Sequence, residues 1–207
     1  MLSWDGAETA PGDPDGLEEC RVVFVCTANR ARSAVAAALL LERSDVPGLA
    51  VGSCGTSAVP GAAPLTEAVD LARTLGVDLT RHRARPLLPG ALASTDLVIG
   101  FERMHVELAI EVGHVLPERA FLLLELPALL GQGAPANADR TAVGARAVVR
   151  RLLAARSDGG DAPELPDPRG QPKFVWQELG RLLEATVGRL AYSLGGERGP
   201  VSARREG

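Results

Sequence analysis

A cysteine and an arginine lie six positions apart in the segment FVCTANRARSA, which occupies residues 24–34. Cys26 could supply a thiolate, which is a strong nucleophile, and Arg32 a permanently charged guanidinium that can hold two oxygens of one oxyanion. The spacing alone proves little, because a chain with 22 basic residues places one near a cysteine by chance at an appreciable rate. The order of the surrounding residues is what makes the pair a candidate site.

The segments on either side of this pair predict an oxyanion cradle. RVVFVC (21–26) is a continuous apolar run, typical of a strand buried on both faces, and AVAAALLLER (34–43) is a block of strong helix formers. A helix that begins near Ser33 would direct its unpaired amides and positive dipole end at the loop. Asn29, in the middle of the loop, tolerates a left-handed backbone conformation. The same field would favour the thiolate form of Cys26.

Hydrolysis of a phosphate ester through a thiolate also needs a carboxyl group. It must protonate the leaving oxygen as an acid and then activate water as a carboxylate. The Pro-, Gly- and Asp-rich loop SDGGDAPELPDPRGQP (157–172) contains four candidates, and their spacing does not rank them. The candidates are Asp158, Asp161, Glu164 and Asp167.

Strand and helix patterns alternate along the chain, which predicts parallel strands joined by right-handed crossovers. We therefore expect a three-layer α/β/α sandwich with a central parallel sheet of about four strands. The predicted strands are 21–26, 49–53, 96–101 and 119–125. The predicted helices are 34–43, 64–76 and 102–112, with two later helices within 138–156 and 173–194.

Composition narrows the class of protein. The 207 residues are 46% hydrophobic and 23% charged, with a formal net charge of −4, which argues against a nucleic-acid or anionic-membrane partner. No apolar run approaches the roughly 20 residues that a membrane span needs.

The sequence predicts one domain with two tails. Residues 1–19 are expected to form a disordered leader without a signal-peptide pattern, residues 20–194 a single domain, and residues 195–207 a flexible tail. We expect a cytoplasmic protein.

Metal and disulfide chemistry have little support in the sequence. The chain has an odd number of cysteines, Cys20, Cys26 and Cys54, and no two of them have CxxC spacing. They therefore predict neither a disulfide framework nor a zinc site. His105 and His114 have no further ligands at metal spacing and are interpreted as structural. We expect no metal and no cofactor.

Residues 26–34, C-T-A-N-R-A-R-S-A, resemble the signature C-x-G-N-x-C-R-S-P of the low-molecular-weight protein tyrosine phosphatases. Four later segments also resemble family motifs, so the resemblance covers about 170 residues. They are SCGT (53–56) for S-A-G-T, HRAR (82–85) for H-x-A-R, DLVIGFERMH (96–105) for D-L-I-L-x-M-D-x-x-H, and the D-P pair at 167–168. The resemblance implies a phosphatase that forms a cysteinyl phosphate, with phosphorylated protein or a small phosphomonoester as its substrate.

The resemblance also implies a role for each matched residue. Cys26 would be the nucleophile, Arg32 the phosphate ligand and Asp167 the general acid. Ser33 would donate a hydrogen bond to the thiolate, while Asn29, Ser53 and His82 would hold the loop open. The implied phosphate-binding or loop-supporting residues are Thr27, Ala28, Asn29, Arg30, Ala31, Ser33, Ser53 and His82.

Several positions depart from the family pattern. Ala31 replaces the second loop cysteine, which in many members can form a protective disulfide with the nucleophile. Val59 and the pair Arg169-Gly170 stand where members that act on phosphotyrosine have aromatic residues, so flat walls for a phenol ring are missing. Arg30 and Arg169 add positive charge that would suit an acidic peptide, a sugar phosphate or another polyanion. Solvated surface arginines are the equally expected alternative.

Two other functions fit the same loop. Arsenate reduction would use the cradle for arsenate, but the chain has no cysteine after Cys54, so it would need a small external thiol. A non-catalytic oxyanion or phosphoprotein binding module would keep the loop without a working acid. Cys54 itself is interpreted as a packed thiol rather than a redox partner.

Overall fold

The central sheet is parallel, as the alternation of strand and helix predicts. The computed structural model describes residues 19–130, 140–155 and 162–195. Within these ranges, four strands form one sheet in the order β2-β1-β3-β4. They are β1 (Cys20–Cys26), β2 (Leu49–Gly55), β3 (Leu97–Gly100) and β4 (Ala120–Leu122). β1 is central and pairs with β2 from Cys20 opposite Leu49 to Cys26 opposite Gly55.

Helices cover both faces of the sheet, so the predicted three-layer α/β/α architecture is confirmed. The described helices are α1 (Arg32–Arg43), α2 (Thr66–Thr74), α3 (Arg103–Glu111), α4 (Leu126–Leu129), α5 (Ala142–Ala155) and α6 (Lys173–Gly195). On one face, α1, α2, α5 and α6 bury a large apolar cluster that includes Val22 and Phe24 of β1. On the other face, α3 packs with Val23 and Val25. Alternate β1 residues enter different clusters because successive strand side chains point to opposite faces.

The fourth strand is shorter than the sequence predicts. The apolar run at 119–125 forms β4 only over Ala120–Leu122, and a 3₁₀ turn follows at Leu123–Glu125. Within this turn the Glu125 carboxylate accepts a hydrogen bond from the Leu122 backbone N–H at 3.3 Å. The chain then enters α4, a helix of four residues that the apolar pattern does not predict.

Parts of the predicted domain organisation lie outside the described residues. Of the predicted leader and tail, only Glu19 and Gly195 are described, and Gly195 is the last residue of α6. In the described ranges no helix has the length and apolar character needed to cross a membrane. Nor does this part of the chain contain a group of three or more His, Cys, Asp or Glu side chains that could hold a metal ion.

Candidate active site

Cys26 is the last residue of β1 and lies at the carboxyl edge of the sheet, where the loop to α1 begins. Its side chain is 3% exposed, and its Sγ lies 2.9 Å from Ser33 Oγ. The backbone N–H of Asn29 donates to the same sulfur at 3.3 Å. The sulfur is thus within hydrogen-bond distance of the Ser33 hydroxyl and accepts from a loop amide.

The loop after Cys26 surrounds the start of α1. Ala31 occupies the N-cap position and has no side-chain oxygen to accept a bond from the first-turn amides. Those amides are therefore available to an anion, and the positive end of the helix dipole adds to the attraction. The loop is held by the turn that follows β2, because Thr56 and Ser57 donate their N–H groups to the carbonyls of Cys26 and Thr27 at 2.9 and 2.8 Å.

Asn29 fixes the shape of this loop. It is fully buried and adopts a left-handed conformation, with φ of 52°. Its amide nitrogen donates to Ser33 Oγ and Ser53 Oγ, both at 2.9 Å, and its Oδ1 accepts the Arg85 N–H at 2.9 Å. An L-residue pays about 1–2 kcal/mol in this backbone region, so the loop depends on these bonds.

His82 supports the same residue from the opposite side. Its Nε2 lies 2.7 Å from the Asn29 carbonyl oxygen, and because a carbonyl only accepts, the ring must carry its proton on Nε2. Burial lowers the pKa of His82, although the bond to Asn29 opposes this shift. The structure therefore brings Asn29, Ser33, Ser53 and His82 together around the loop.

Arg32 points into the protein rather than into solvent. Its side chain is only 2% exposed, and its Nη1 donates to the carboxylate of Glu102 and, at 2.8 Å, to the Leu165 carbonyl oxygen. Nη2 lies 3.6 Å from Asp167 Oδ2 and 3.4 Å from Thr27 Oγ1. The guanidinium thus bridges the phosphate-loop candidate, the start of α3 and the late acidic loop.

Glu102 and His105 belong to this network although sequence reasoning gave them no part in the site. The Glu102 N–H donates to His105 Nδ1 at 3.0 Å, so the neutral ring carries its proton on Nε2, which lies 3.0 Å from Thr27 Oγ1. Burial first and the charge of Arg32 second lower the pKa of His105 to about 4. The sequence did contain a signal for these two residues. In the segment DLVIGFERMH, Glu102 and His105 stand at the second D and the H of the family motif D-L-I-L-x-M-D-x-x-H.

Among the described acid candidates, the structure places only Asp167 at the cavity above Cys26. Its Oδ1 accepts the Arg169 N–H at 3.0 Å, and its side chain is 38% exposed. Glu164 instead accepts the Arg103 N–H at 2.9 Å and lies away from the cavity. Asp158 and Asp161 lie outside the described residues.

One cavity is shared by Cys26, Arg32 and Asp167. The apolar part of its lining comes from Ala28, Ala31 and Leu65, and the remaining lining residues are Arg30 and Arg169. A buried sulfur therefore lies at the floor, with a guanidinium and a carboxylate on the walls. This arrangement suits an anion with several oxygens whose ester oxygen faces a proton donor.

The model of the low molecular weight phosphotyrosine protein phosphatase family matches residues 21–127, which is more than half of the chain. The chain belongs to this family. A probable low molecular weight protein-tyrosine-phosphatase, EpsP of Ralstonia nicotianae, is 35% identical over 78 residues, which cover 38% of this chain and 52% of EpsP. The matched segment thus spans about half the length of that relative. A protein-arginine-phosphatase of Geobacillus stearothermophilus is 25% identical over 174 residues, covering 84% of this chain and 95% of the relative.

Solved structures show that this family member has the fold of known phosphatases. A YwlE mutant from Bacillus subtilis aligns with a TM-score of 0.62 at 23% identity, covering 85% of this chain and 99% of YwlE. The tyrosine phosphatase Wzb from Escherichia coli K30 aligns with a TM-score of 0.61 at 20% identity, covering 84% and 98% of the two chains. The common element is the α/β/α sandwich that carries the loop.

This low molecular weight phosphatase family member has no thiol partner for Cys26 within its own loop, because Ala31 fills that position. Cys54 pairs with Val25 in the sheet register and packs in the apolar cluster on the face opposite to Cys26. Burial first and the charge of Cys26 second raise the pKa of Cys54 to about 12. A thiol in that state is a packing residue rather than a nucleophile.

The cavity of this family member also lacks aromatic walls. In the described part of the chain its lining contains no Phe, Tyr or Trp side chain. Val59, which stands at one of the family's aromatic positions, is 68% exposed and is not among the lining residues. The mouth is instead formed by two arginines, one from the loop and one from the segment after Asp167.

Proposed function

We propose that the protein is a phosphomonoester hydrolase that works through a cysteinyl-phosphate intermediate. The observation that carries this proposal is the convergence of Cys26, Arg32 and Asp167 on one cavity at the start of α1. Membership of the low molecular weight phosphotyrosine protein phosphatase family supports it. A thiolate, a fixed guanidinium and a carboxyl group are the three groups that this reaction requires.

In the first step, Cys26 Sγ attacks phosphorus, the S–P bond forms and the ester P–O bond breaks. The electron pair of that bond leaves with the ester oxygen, which takes a proton from the Asp167 carboxyl group. Arg32 and the first-turn amides of α1 hold the phosphoryl oxygens during the transfer. In the second step, Asp167 as a carboxylate accepts a proton from water, water attacks phosphorus, the S–P bond breaks and phosphate leaves.

A phosphorylated protein side chain is the substrate class that the relatives favour, and phosphotyrosine is the leading candidate. The names of EpsP and of the family point to phosphotyrosine. The arginine phosphatase of Geobacillus stearothermophilus makes phosphoarginine the second candidate, since its match covers 84% of this chain. Arg30 and Arg169 at the mouth oppose phosphoarginine, because its leaving group departs as a cation.

The two other functions have less support. In arsenate reduction a second thiol must resolve the covalent product, and since Cys54 is buried on the face opposite to Cys26, the reaction would depend on a small external thiol. In a pure binding module nothing would require a carboxylate at the cavity, yet Asp167 lines it. A cytoplasmic location stays a prediction from the sequence.

Hydrolysis of aryl phosphates by matched variants tests the proposal. We expect Cys26→Ser to abolish phosphate release, while Cys20→Ala, which removes a thiol from the far end of β1, retains it. Asp167→Asn should slow phenyl phosphate more than p-nitrophenyl phosphate, because the more basic phenolate leaves less readily without a proton donor. A fully active Cys26→Ser enzyme would refute the mechanism, and phosphate binding without turnover by the wild type would support the binding module.

A further inference from the structure

Two arginines border the cavity beyond the group of residues that hold the phosphoryl group. Arg30 is partly exposed and follows Asn29 in the loop, and Arg169 is exposed and follows the Asp167-Pro168 pair. Cys26, by contrast, is 3% exposed and forms the floor. The two guanidinium groups therefore lie at the mouth of the cavity, at the level where a substrate enters.

The contacts of Arg30 fix it at this place. Its carbonyl oxygen accepts the Leu65 N–H at 3.0 Å, and its Nε donates to the Ala63 carbonyl oxygen at 2.5 Å. At Arg169 only the backbone is held, since its N–H donates to Asp167 Oδ1 at 3.0 Å. The anchored Arg30 side chain loses less conformational entropy when it binds an anion than a free surface side chain does.

The three arginines that line the cavity differ in how many carboxylates lie beside them. Arg32 has two carboxylates beside it, from Glu102 and Asp167. In the described ranges, by contrast, no carboxylate lies within ion-pair distance of the guanidinium group of Arg30 or of Arg169. A phosphoryl group bound over Cys26 would engage Arg32 and the helix amides, so the two mouth arginines remain available for a second negative group.

The surroundings of the mouth favour an extended peptide over a compact molecule. Through Asp167 the cavity adjoins an apolar groove lined by Leu165, Val175 and Phe174, and the Phe174 ring is 67% exposed. A peptide can occupy the mouth and this groove together, whereas a small bisphosphate would leave the groove empty.

We propose that Arg30 and Arg169 form a second anion subsite, which selects phosphoproteins that carry an Asp or Glu beside the phosphorylated residue. The inference rests on the proposed function for its choice of phosphorylated side chain. The carboxylate would contact the guanidinium groups at the mouth while the phosphoryl group lies over Cys26. At such solvent-accessible positions each contact is expected to contribute about two- to fivefold in affinity.

Binding to the Cys26→Ser protein tests the subsite separately from catalysis. Two phosphotyrosine peptides that differ only in having Glu or Gln on both sides of the phosphotyrosine are titrated by fluorescence anisotropy. We expect the Glu peptide to bind more tightly, and Arg30→Gln and Arg169→Gln each to reduce the ratio of the two dissociation constants about two- to fivefold. Arg151→Gln, which removes an exposed arginine from α5, serves as the matched control. Because the ratio is measured within each variant, a general loss of loop structure cancels.

The outcomes separate this inference from the proposed function. Equal binding of both peptides, no binding of either, or a preference that survives in the Arg30→Gln, Arg169→Gln double variant would overturn the subsite. Fructose 1,6-bisphosphate is also tested as a competitor of the labelled Glu peptide. If it displaces that peptide at a lower concentration than the unlabelled Glu peptide does, the assignment to protein substrates is overturned. If the wild type releases no phosphate but the ratio falls as expected, the subsite holds and the proposed hydrolysis fails.

Discussion

The Nε2 atom of His105 lies 3.0 Å from the Oγ1 atom of Thr27, and this contact joins the first turn of α3 to the loop that follows β1. Thr27 Oγ1 also lies 3.4 Å from Arg32 Nη2. The hydroxyl therefore faces two nitrogen donors, and its own hydrogen must point elsewhere. A buried histidine that sequence reasoning treated as structural thus positions the residue next to the candidate nucleophile.

Replacing His105 should impair both the loop and the fold. We expect His105→Phe to fill the space but remove both hydrogen bonds, lowering the free energy of unfolding by about 1–3 kcal/mol and reducing kcat. Urea denaturation and p-nitrophenyl phosphate kinetics measure the two effects. His114→Asn is the matched control, because His114 is exposed and asparagine tolerates its positive φ of 59°. Unchanged kcat in His105→Phe would contradict the positioning role.

The same histidine predicts a pH dependence of stability. Its pKa in the folded protein is about 4, below its ordinary value of 6.5, because of burial first and the Arg32 charge second. The unfolded chain then binds more protons between these values, so stability is fully present above about pH 6.5 and falls as the pH decreases towards 4, by about 3 kcal/mol in all.

His82, whose pKa is also lowered, contributes in the same direction. Urea denaturation at about pH 7.5 and about pH 5 tests the slope, because most carboxylates remain ionised over that range. In His105→Phe part of the slope should disappear. A wild type equally stable at both pH values would show that neither histidine is held neutral by the fold.

Substitutions at Asn29 can separate backbone strain from lost hydrogen bonds. Asn29→Gly permits the φ of 52° but removes the side-chain bonds to Ser33, Ser53 and Arg85. Asn29→Ala removes the same bonds and adds about 1 kcal/mol of left-handed strain. We expect the free energy of unfolding to decrease in the order wild type, Gly, Ala, and kcat to fall in both variants. An Ala variant as stable as the Gly variant would show that the loop relaxes its shape.

A methyl group at Gly55 should displace the phosphate-loop candidate. An added Cβ there would lie 2.7 Å from the Thr27 carbonyl oxygen and 2.8 Å from the Asn29 nitrogen, both of them backbone atoms. We expect Gly55→Ala to lower kcat for p-nitrophenyl phosphate by at least about tenfold, because a small displacement of reacting groups is costly. Gly76→Ala is the control, since its φ of 78° causes strain but no atom lies within 4 Å of the new Cβ. The control should lose stability and keep kcat.

The regular part of this fold follows from local patterns. The run RVVFVC predicts β1 because its residues are buried on both faces, and AVAAALLLER predicts α1 because strong helix formers follow the loop. The prediction for the end of β4 is wrong, because a 3₁₀ turn replaces the strand after Leu122 although the run stays apolar to Leu124, and the Leu122 N–H bonds to Glu125 there. An apolar run alone does not predict the residue at which a strand ends and a turn begins.

The long-range contacts of the candidate site are harder to predict from the sequence than the strands and helices are. Cys26 and Arg32 are six residues apart, so their position between a strand and a helix reveals them. Glu102 is 70 residues from Arg32, and the carbonyl of Leu165 is 133 residues away. Such contacts depend on how β1 and β3 pair and on where the late loop returns, which no local pattern encodes. Family resemblance brought His82 into the site, but it did not reveal His105.

The pairing of Val25 with Cys54 separates the sulfurs of Cys26 and Cys54 onto opposite faces of the sheet. The third sulfur, Cys20, is buried at the opposite end of β1. Peroxide that converts Cys26 to a sulfenic acid would therefore meet no resolving thiol within the chain, and repair would require a reductant from solution before overoxidation occurs. The enzyme's recovery after oxidative stress would thus follow the supply of small thiols in its surroundings.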